Sequence, residues 1–237
     1  FAATAEAVIK RAATPGFADV AEASCNLDPA SAAAALDFAR RAGLRPRAVI
    51  AVDLYGLPAD YPALTAVAAA AGATVIADAA QSFGATQGNR PVGSLAPLGA
   101  TSFYPSKPLG CYGDGGALFA ADAETAQRLR LLARHGQGPG RYNHVTLGMN
   151  SRLDTIQAAV LLQKLSVLAE ELPRREARAQ RYDAALEGHV TLPPRAAGSS
   201  SAWACYTIRH PERDRLARAL EAAGVQTAVH YPRPLNR

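Results

Sequence analysis

Short, mostly apolar runs occur at four places along the chain, at residues 48–52, 74–77, 99–103 and 117–120. A run of four or five such residues between turn residues is typical of a strand covered on both faces. The first two runs are separated by a helical pattern, which predicts a right-handed strand–helix–strand unit with parallel strands. Ligands in sheets of this kind bind beyond the carboxyl ends of the strands.

Amphipathic stretches between and after these runs predict helices. Asp28, Asp60 and Asp122 each stand where a side chain can cap the start of a helix. Ser151 and Asp154 form a pattern similar to a capping box. The predicted helices cover residues 1–9, 30–42, 61–71, 124–134, about 154–168, 174–187 and 211–223, with Pro173 as the break between the fifth and the sixth.

Weaker patterns predict the remaining elements. Residues 17–20, 190–192 and 204–208 are strand-like, and residues 88–90 form the turn of a small hairpin. Residues 198–201 form a flexible loop. The fold predicted from the whole pattern is α/β, with a mainly parallel sheet over residues 1–155 and a smaller α+β domain over residues 156–237.

The composition argues against several classes of function. The 237 residues are 49% hydrophobic and 19% charged, with a net charge of +5 that is dispersed rather than concentrated in a tail. No aromatic and basic module favours nucleic acid, and no apolar run approaches the roughly 18–20 residues of a membrane span. Three cysteines without metal-ligand spacing favour a reducing cytoplasm, and two histidines in one loop, His135 and His144, are interpreted as ordinary loop residues.

A lysine between two prolines is the first chemical candidate. Pro105 and Pro108 disfavour both a helix and an interior strand around Lys107. Lys107 is therefore predicted to lie on a held loop that directly follows the strand at residues 99–103. From these neighbouring residues alone, a solvated surface charge would be the simpler interpretation of Lys107.

An acid at the end of another strand changes that interpretation. Asp78 follows the apolar run at 74–77, so an amine and a carboxylate are expected at neighbouring strand ends. Pyridoxal phosphate chemistry needs this pair, because the amine forms a Schiff base with the cofactor aldehyde and the acid keeps the pyridine nitrogen protonated. The alternative for Asp78 is a cap for a helix after the strand.

Three motifs in order resemble those of one enzyme family. They are IADAAQS at residues 76–82, TSFYPSKPLGCYGDGG at 101–116 and LGMNSRLDTIQAA at 147–159. Together they resemble the DegT/DnrJ/StrS sugar aminotransferases, which are fold-type I pyridoxal phosphate enzymes. The resemblance runs over nearly the whole chain and implies a chain truncated at both ends, without the segment that grips the cofactor phosphate.

The resemblance implies roles for named residues at the cofactor. Lys107 would carry the cofactor aldehyde, Asp78 would pair with the pyridine nitrogen, and Gln81 would lie beside the ring oxygen. Ser102 would bind the cofactor phosphate, with a hydroxyl tied to its own backbone as the alternative. Phe1 would stack on the ring, with core packing as the alternative.

Further roles follow for residues outside the cofactor ring. In a homodimer with shared sites, Asn150 would bind the cofactor phosphate of the partner subunit, with a helix cap as the alternative. Arg152 would bind a substrate carboxylate. His230 and Tyr231 would lie over the site as substrate contacts, with a structural role as the alternative.

The function implied is pyridoxal-5'-phosphate-dependent transfer of an amino group from glutamate to a nucleotide-linked keto-sugar. The residues of the motifs most resemble those of the family branch that acts on UDP-linked 3-keto-N-acetylhexosaminuronate sugars in bacterial surface polysaccharide (O-antigen) synthesis. The alternatives are a dehydratase of the same family, in which histidine replaces the lysine, and a regulatory or binding protein of this fold without turnover. Lys107 favours the aminotransferase over the dehydratase.

Overall fold

A four-stranded sheet forms the centre of the computed structural model, which describes residues 1–236. Its strands lie in the order β1, β2, β5 and β6. Each of the four apolar runs in the sequence forms one of them, so these predictions are confirmed. The strands are β1 (Ala48–Val52), β2 (Thr74–Asp78), β5 (Leu98–Ser102) and β6 (Gly116–Ala120).

The first three strands of the sheet are parallel. Val52 at the end of β1 pairs with Asp78 at the end of β2, and Asp78 pairs with Ala100 in β5. The carboxyl ends of these strands therefore meet at one edge, as parallel pairing requires. β6 runs antiparallel to β5, so the sheet is mixed and mostly parallel.

Capped helices flank the sheet where the sequence predicts them. The carboxylates of Asp28, Asp60 and Asp122 accept hydrogen bonds from backbone amides in the first turn of the helix that each precedes. The capping predictions are confirmed for all three. The helices are α1 (Ala2–Ile9), α2 (Pro29–Arg41), α3 (Tyr61–Ala70) and α4 (Ala123–Leu132).

The long helix α5 (Thr155–Leu186) corrects two predictions. It continues through Pro173, where the sequence predicts a break, and Asp154 alone caps it by accepting a hydrogen bond from Gln157 N. Proline inside a helix costs about 3 kcal/mol. Packing outweighs this cost, because Leu168 and Ala179 are buried on the two sides of the proline.

A second, three-stranded sheet lies beside the first. β3 (Thr86–Gln87) and β4 (Arg90–Pro91) form the predicted hairpin, and β7 (Ser199–Ser200) pairs with β3. β7 falls in the segment that the sequence predicts as a flexible loop, so that prediction is wrong.

The strands predicted at residues 17–20, 190–192 and 204–208 do not form. Only isolated bridges join Val20 to Leu27 and Thr191 to Arg209. Side chains rather than a β-ladder hold residues 204–208, because Tyr206 OH donates to Asp183 in α5 over 2.7 Å. The last helix, α6 (Arg213–Ala222), lies within the predicted helix at 211–223.

Two buried apolar clusters hold the sheet and the lysine loop in position against the helices. The larger joins β1 and β2 to α2 and α3, with Leu64 and Val75 among its buried members. The smaller contains Phe103, Cys111 and Leu161, and it packs the loop after β5 against α5. None of the helices formed by residues 1–236 is long and apolar enough to span a bilayer.

Candidate active site

Three polar side chains lie at the carboxyl ends of neighbouring parallel strands. Asp53 directly follows β1, Asp78 ends β2 and Ser102 ends β5. Because β1, β2 and β5 are adjacent and parallel, these residues share one edge of the sheet. This edge is the one that the sequence predicts as the binding edge.

Asp78 is a half-buried carboxylate held by two donors. Thr4 Oγ1 donates to its Oδ2 over 2.6 Å, and the amide of Ala80 donates to its Oδ1 over 3.2 Å. A turn follows Asp78 instead of a helix, so the helix-cap alternative is wrong. Thr4 is a site residue that the sequence analysis missed, since a threonine in the first turn of a helix carries no chemical signal.

Gln81 links the sheet edge to the C-terminal segment. Its Oε1 accepts a hydrogen bond from Tyr55 N over 2.6 Å, and its Nε2 donates to Tyr231 OH over 3.1 Å. Tyr55 has the left-handed φ of 61°, a strained conformation for a tyrosine. Its hydroxyl donates to the carbonyl of His230, so residues 230 and 231 fold back onto this edge.

Phe1 lies on the same side of the site. Its ring centroid is 6.5 Å from that of Tyr231, and the side chain is 69% exposed, which excludes plain core packing within this chain. Phe1 also precedes α1, the helix that carries Thr4 to Asp78. The structure therefore brings Phe1, Asp78, Gln81 and Tyr231 together.

Lys107 lies on a loop that is held from both sides, as predicted. Its amide donates to the carbonyl of Tyr104 over 2.9 Å. A side chain at Gly110 would come within 2.5 Å of the Pro105 carbonyl, so the close turn requires glycine there. Lys164 in α5 donates to the Gly110 carbonyl over 2.6 Å, which ties the loop to that helix.

Lys107 is half-buried. Burial raises the pKa of the Cys205 thiol, and the Lys107 charge opposes that rise. The loop of Lys107 follows β5, whose carboxyl end lies beside that of β2, so the loop begins at the same edge of the sheet as Asp78.

Ser102 adopts the local arrangement that was its alternative. Its Oγ accepts a hydrogen bond from Tyr104 N over 3.2 Å. The hydroxyl proton is not used in that bond, so the same group can still donate to an anion.

In the part of the chain that the structure describes, Asn150 and Arg152 have no hydrogen bond to Asp78 or Gln81. Both are exposed, and Arg152 Nε donates to Asn150 Oδ1 over 2.8 Å. With Asp114 they line a wide groove between β6 and α4. Asn150 does not cap α5, since Asp154 does, so its predicted helix-cap alternative is wrong.

Asp53 is the second acid of the edge, and the sequence analysis missed it. It is fully buried and accepts hydrogen bonds from Ala59 N at 2.9 Å, Tyr61 OH at 2.7 Å and Ser82 Oγ at 2.6 Å. Burial raises the pKa of Asp53 to about 6, although these donors lower it. An acid directly after a buried strand was the available signal, since the same pattern identified Asp78.

The residues at this edge fit a pyridine ring that carries an aldehyde. The site offers a carboxylate for a basic ring nitrogen at Asp78, an amide at Gln81, an aromatic face at Phe1 and a primary amine at Lys107. Among residues 1–236, no group of three or more His, Cys, Asp or Glu side chains could hold a metal ion.

Comparison with known proteins gives one consistent result. The model of the DegT/DnrJ/EryC1/StrS aminotransferase family matches residues 1–237. The UDP-2-acetamido-2-deoxy-3-oxo-D-glucuronate aminotransferase of Pseudomonas aeruginosa is 46% identical over 238 residues, which cover 100% of this chain and 64% of that protein. This chain thus spans slightly less than two thirds of that relative's length.

Two solved structures agree in fold. A DegT DnrJ EryC1 StrS aminotransferase from Brucella abortus has a TM-score of 0.98 and 48% identity, covering 100% of this chain and 64% of that one. DesV of S. venezuelae, in complex with a ketimine intermediate, has a TM-score of 0.92 and 39% identity, covering 100% of this chain and 62% of that one.

Proposed function

Because the chain belongs to the DegT/DnrJ/EryC1/StrS aminotransferase family, we propose that the whole protein transfers an amino group from glutamate to a nucleotide-linked keto-sugar. One observation carries the proposal. The loop that holds Lys107 follows β5, and the hydrogen-bonded carboxylate of Asp78 ends the adjacent parallel strand β2, so both stand at the same edge of the sheet.

Pyridoxal 5'-phosphate, when bound, supplies an aldehyde and a ring that accepts electrons. In the proposal Asp78 accepts a hydrogen bond from the ring nitrogen, and its contact with Thr4 fixes the carboxylate for that task. Gln81 lies beside the ring oxygen, Phe1 covers a ring face, and Ser102 donates its hydroxyl proton to the phosphate.

Lys107 is proposed to carry the proton transfers. Its Nζ atom, as a free amine, would accept the proton that leaves the α-carbon of the amino donor and deliver it to the former aldehyde carbon of the cofactor. In the second half of the reaction it would take a proton from that carbon and deliver it to the sugar carbon that receives nitrogen. The loop restraints from Lys164 and Gly110 support this role, because they limit where Nζ can lie.

The proposed acceptor is a UDP-linked 3-keto-N-acetylhexosaminuronate, used in the cytoplasm for bacterial surface polysaccharide (O-antigen). The Pseudomonas aeruginosa relative, whose name contains an oxo-glucuronate, supports this choice. Arg152 is proposed to bind the substrate carboxylate, and His230 and Tyr231 to contact the substrate where they cover Gln81.

We propose that two copies of the chain share their sites. Asn150 and Arg152 are exposed in the groove between β6 and α4. Apolar side chains beside them are also exposed, with Leu147 at 91% and Ile156 at 75%. A second copy that covers these side chains would receive Asn150 at its cofactor phosphate. The proposed large domain covers residues 1–155 and the small domain residues 156–237.

The substitution Asn150→Ala tests the shared site. We expect pyridoxal 5'-phosphate affinity to fall about tenfold to 100-fold, because one hydrogen bond to a charged group is lost. Equilibrium titration by visible absorbance measures the change. Asn143→Ala, in the same exposed loop region, serves as the control and should retain wild-type affinity. Unchanged affinity in Asn150→Ala would contradict the proposed role of Asn150.

Glutamate-dependent amination of a panel of UDP- and dTDP-linked keto-sugars tests the proposed function. The whole protein with pyridoxal 5'-phosphate should aminate the UDP-3-keto-hexosaminuronate at least about tenfold more efficiently than the neutral UDP sugar. An arginine–carboxylate pair is the physical reason for this preference. Cofactor binding without amination of any sugar would favour the regulatory or binding alternative.

A further inference from the structure

Asp53 is a buried carboxyl group that the proposed reaction does not use. It has no exposed surface, and its two oxygens accept three hydrogen bonds, from Ala59, Tyr61 and Ser82. A buried acid with a full set of donors could serve the fold alone. Its position relative to Asp78 indicates a second role.

Asp53 holds the turn that carries two of the proposed cofactor ligands. Its backbone amide donates to the carbonyl of Asp78 over 3.0 Å, and its Oδ2 accepts from Ser82 Oγ over 2.6 Å. The turn runs from Asp78 through Gln81 to Ser82, so Asp53 contacts both of its ends. A change at Asp53 would therefore move the acid and the amide of the site together.

The charge of Asp53 acts on the same turn. The titratable groups that face it are Asp78 from the end of β2 and Tyr61 from the start of α3. Burial and the Asp78 charge raise the pKa of Asp53 to about 6, against the opposing effect of its three donors. Asp53 is therefore mostly ionised at neutral pH, so two charged carboxylates stand at the ends of the neighbouring strands β1 and β2.

We propose that Asp53 is a positioning residue of the cofactor site, which holds the Asp78–Ser82 turn and adds a second negative charge behind Asp78. The inference rests on the proposed function, because it requires a ring whose protonated nitrogen meets Asp78. A cation at that nitrogen relieves the repulsion between the two carboxylates, which explains why a buried acid is placed beside another acid.

The sign of the pH dependence follows from this arrangement. Ionised Asp53 favours a positively charged ring nitrogen, whereas the neutral acid does not. Cofactor affinity should therefore rise as pH increases through the titration of Asp53. By linkage, the bound cofactor should lower the pKa of Asp53.

The experiment measures the dissociation constant of pyridoxal 5'-phosphate between pH 5 and 8 by visible absorbance. As the pH rises through about 6, we expect the affinity of the wild-type whole protein to improve about threefold to tenfold more than that of Asp53→Asn. The reason is that ionisation of Asp53 adds one negative charge near Asp78. Asp53→Asn should lose this part of the pH dependence, because the amide does not titrate. The part that comes from the cofactor phosphate, whose second pKa is also about 6, remains in both proteins, so the difference between the two profiles measures Asp53.

Ser82→Ala provides an independent variant. It keeps the Asp53 charge but removes a hydrogen bond that lowers the pKa of Asp53, so the inflection should move to higher pH. The matched control is Ser166→Ala, an exposed serine of α5, which should retain the wild-type profile. A purely structural role for Asp53 would weaken binding equally at every pH.

Two results would overturn the inference. One is an Asp53→Asn protein whose affinity rises with pH by the same factor as that of the wild type. If that variant does not fold, an unmoved inflection in Ser82→Ala has the same meaning. Identical profiles in all proteins would reject only this inference, whereas wild-type protein that binds no cofactor at any pH would reject the proposed function as well.

Discussion

Replacing Lys107 with alanine is expected to abolish amino transfer, with a fall in kcat of at least about 10⁴-fold. The substitution removes the amine that is proposed to bind the cofactor aldehyde and to move the protons. The visible absorbance band expected when the cofactor is joined to Lys107 should also disappear. Steady-state kinetics and a visible spectrum of the whole protein with added cofactor measure the two effects.

Lys10→Ala is the matched control, since Lys10 is an exposed lysine after α1. It should keep both the absorbance band and the wild-type kcat. The fold should survive Lys107→Ala, because the loop is held by backbone contacts and by Lys164 rather than by the Lys107 side chain. A Lys107→Ala protein that retains the band would show that another residue carries the cofactor.

Local patterns predicted the elements that position the site. The strands β1 and β2 are fully buried on one face and mostly half-buried on the other, so their apolar runs identify them without reference to the rest of the chain. Asp28, Asp60 and Asp122 cap helices through contacts within three residues, which sequence spacing also shows. Pro105 and Pro108 in the same way indicated a loop around Lys107.

Predictions failed where distant packing outweighed a local rule. Pro173 breaks a helix only if nothing compensates, and buried Leu168 and Ala179 stabilise α5 on both sides of it. Residues 204–208 have strand-like composition but are held on α5 by side chains, including the contact from Tyr206 to Asp183. No strand lies beside them to complete a ladder within residues 1–236.

The hydrogen-bond partners of the site residues also could not be predicted from the sequence. Thr4 and Asp78 are separated by 74 positions, and their contact depends on how α1 lies against the sheet edge. The three donors to Asp53 come from the loop before α3, the first residue of α3 and the turn after β2. Spacing identifies an acid at a strand end, but only the folded chain shows which groups surround it.

The second large effect is expected when Asp78 is replaced with asparagine. Asparagine keeps the volume and can still accept the hydrogen bond from Thr4. Its amide, however, donates to an unprotonated ring nitrogen, so the ring loses the positive charge that makes it an electron acceptor. We expect kcat to fall about 10²-fold to 10³-fold while cofactor affinity falls only about tenfold.

Asp60→Asn is the control that separates charge at the site from charge elsewhere. Asp60 caps α3 by accepting a hydrogen bond from Ala63 N, and asparagine caps a helix about as well as aspartate. This variant should therefore match wild type in stability, affinity and kcat. Comparable losses in both variants, or a fall in kcat below about tenfold in Asp78→Asn, would show that Asp78 is not the partner of the ring nitrogen, since the ring would keep its charge without it.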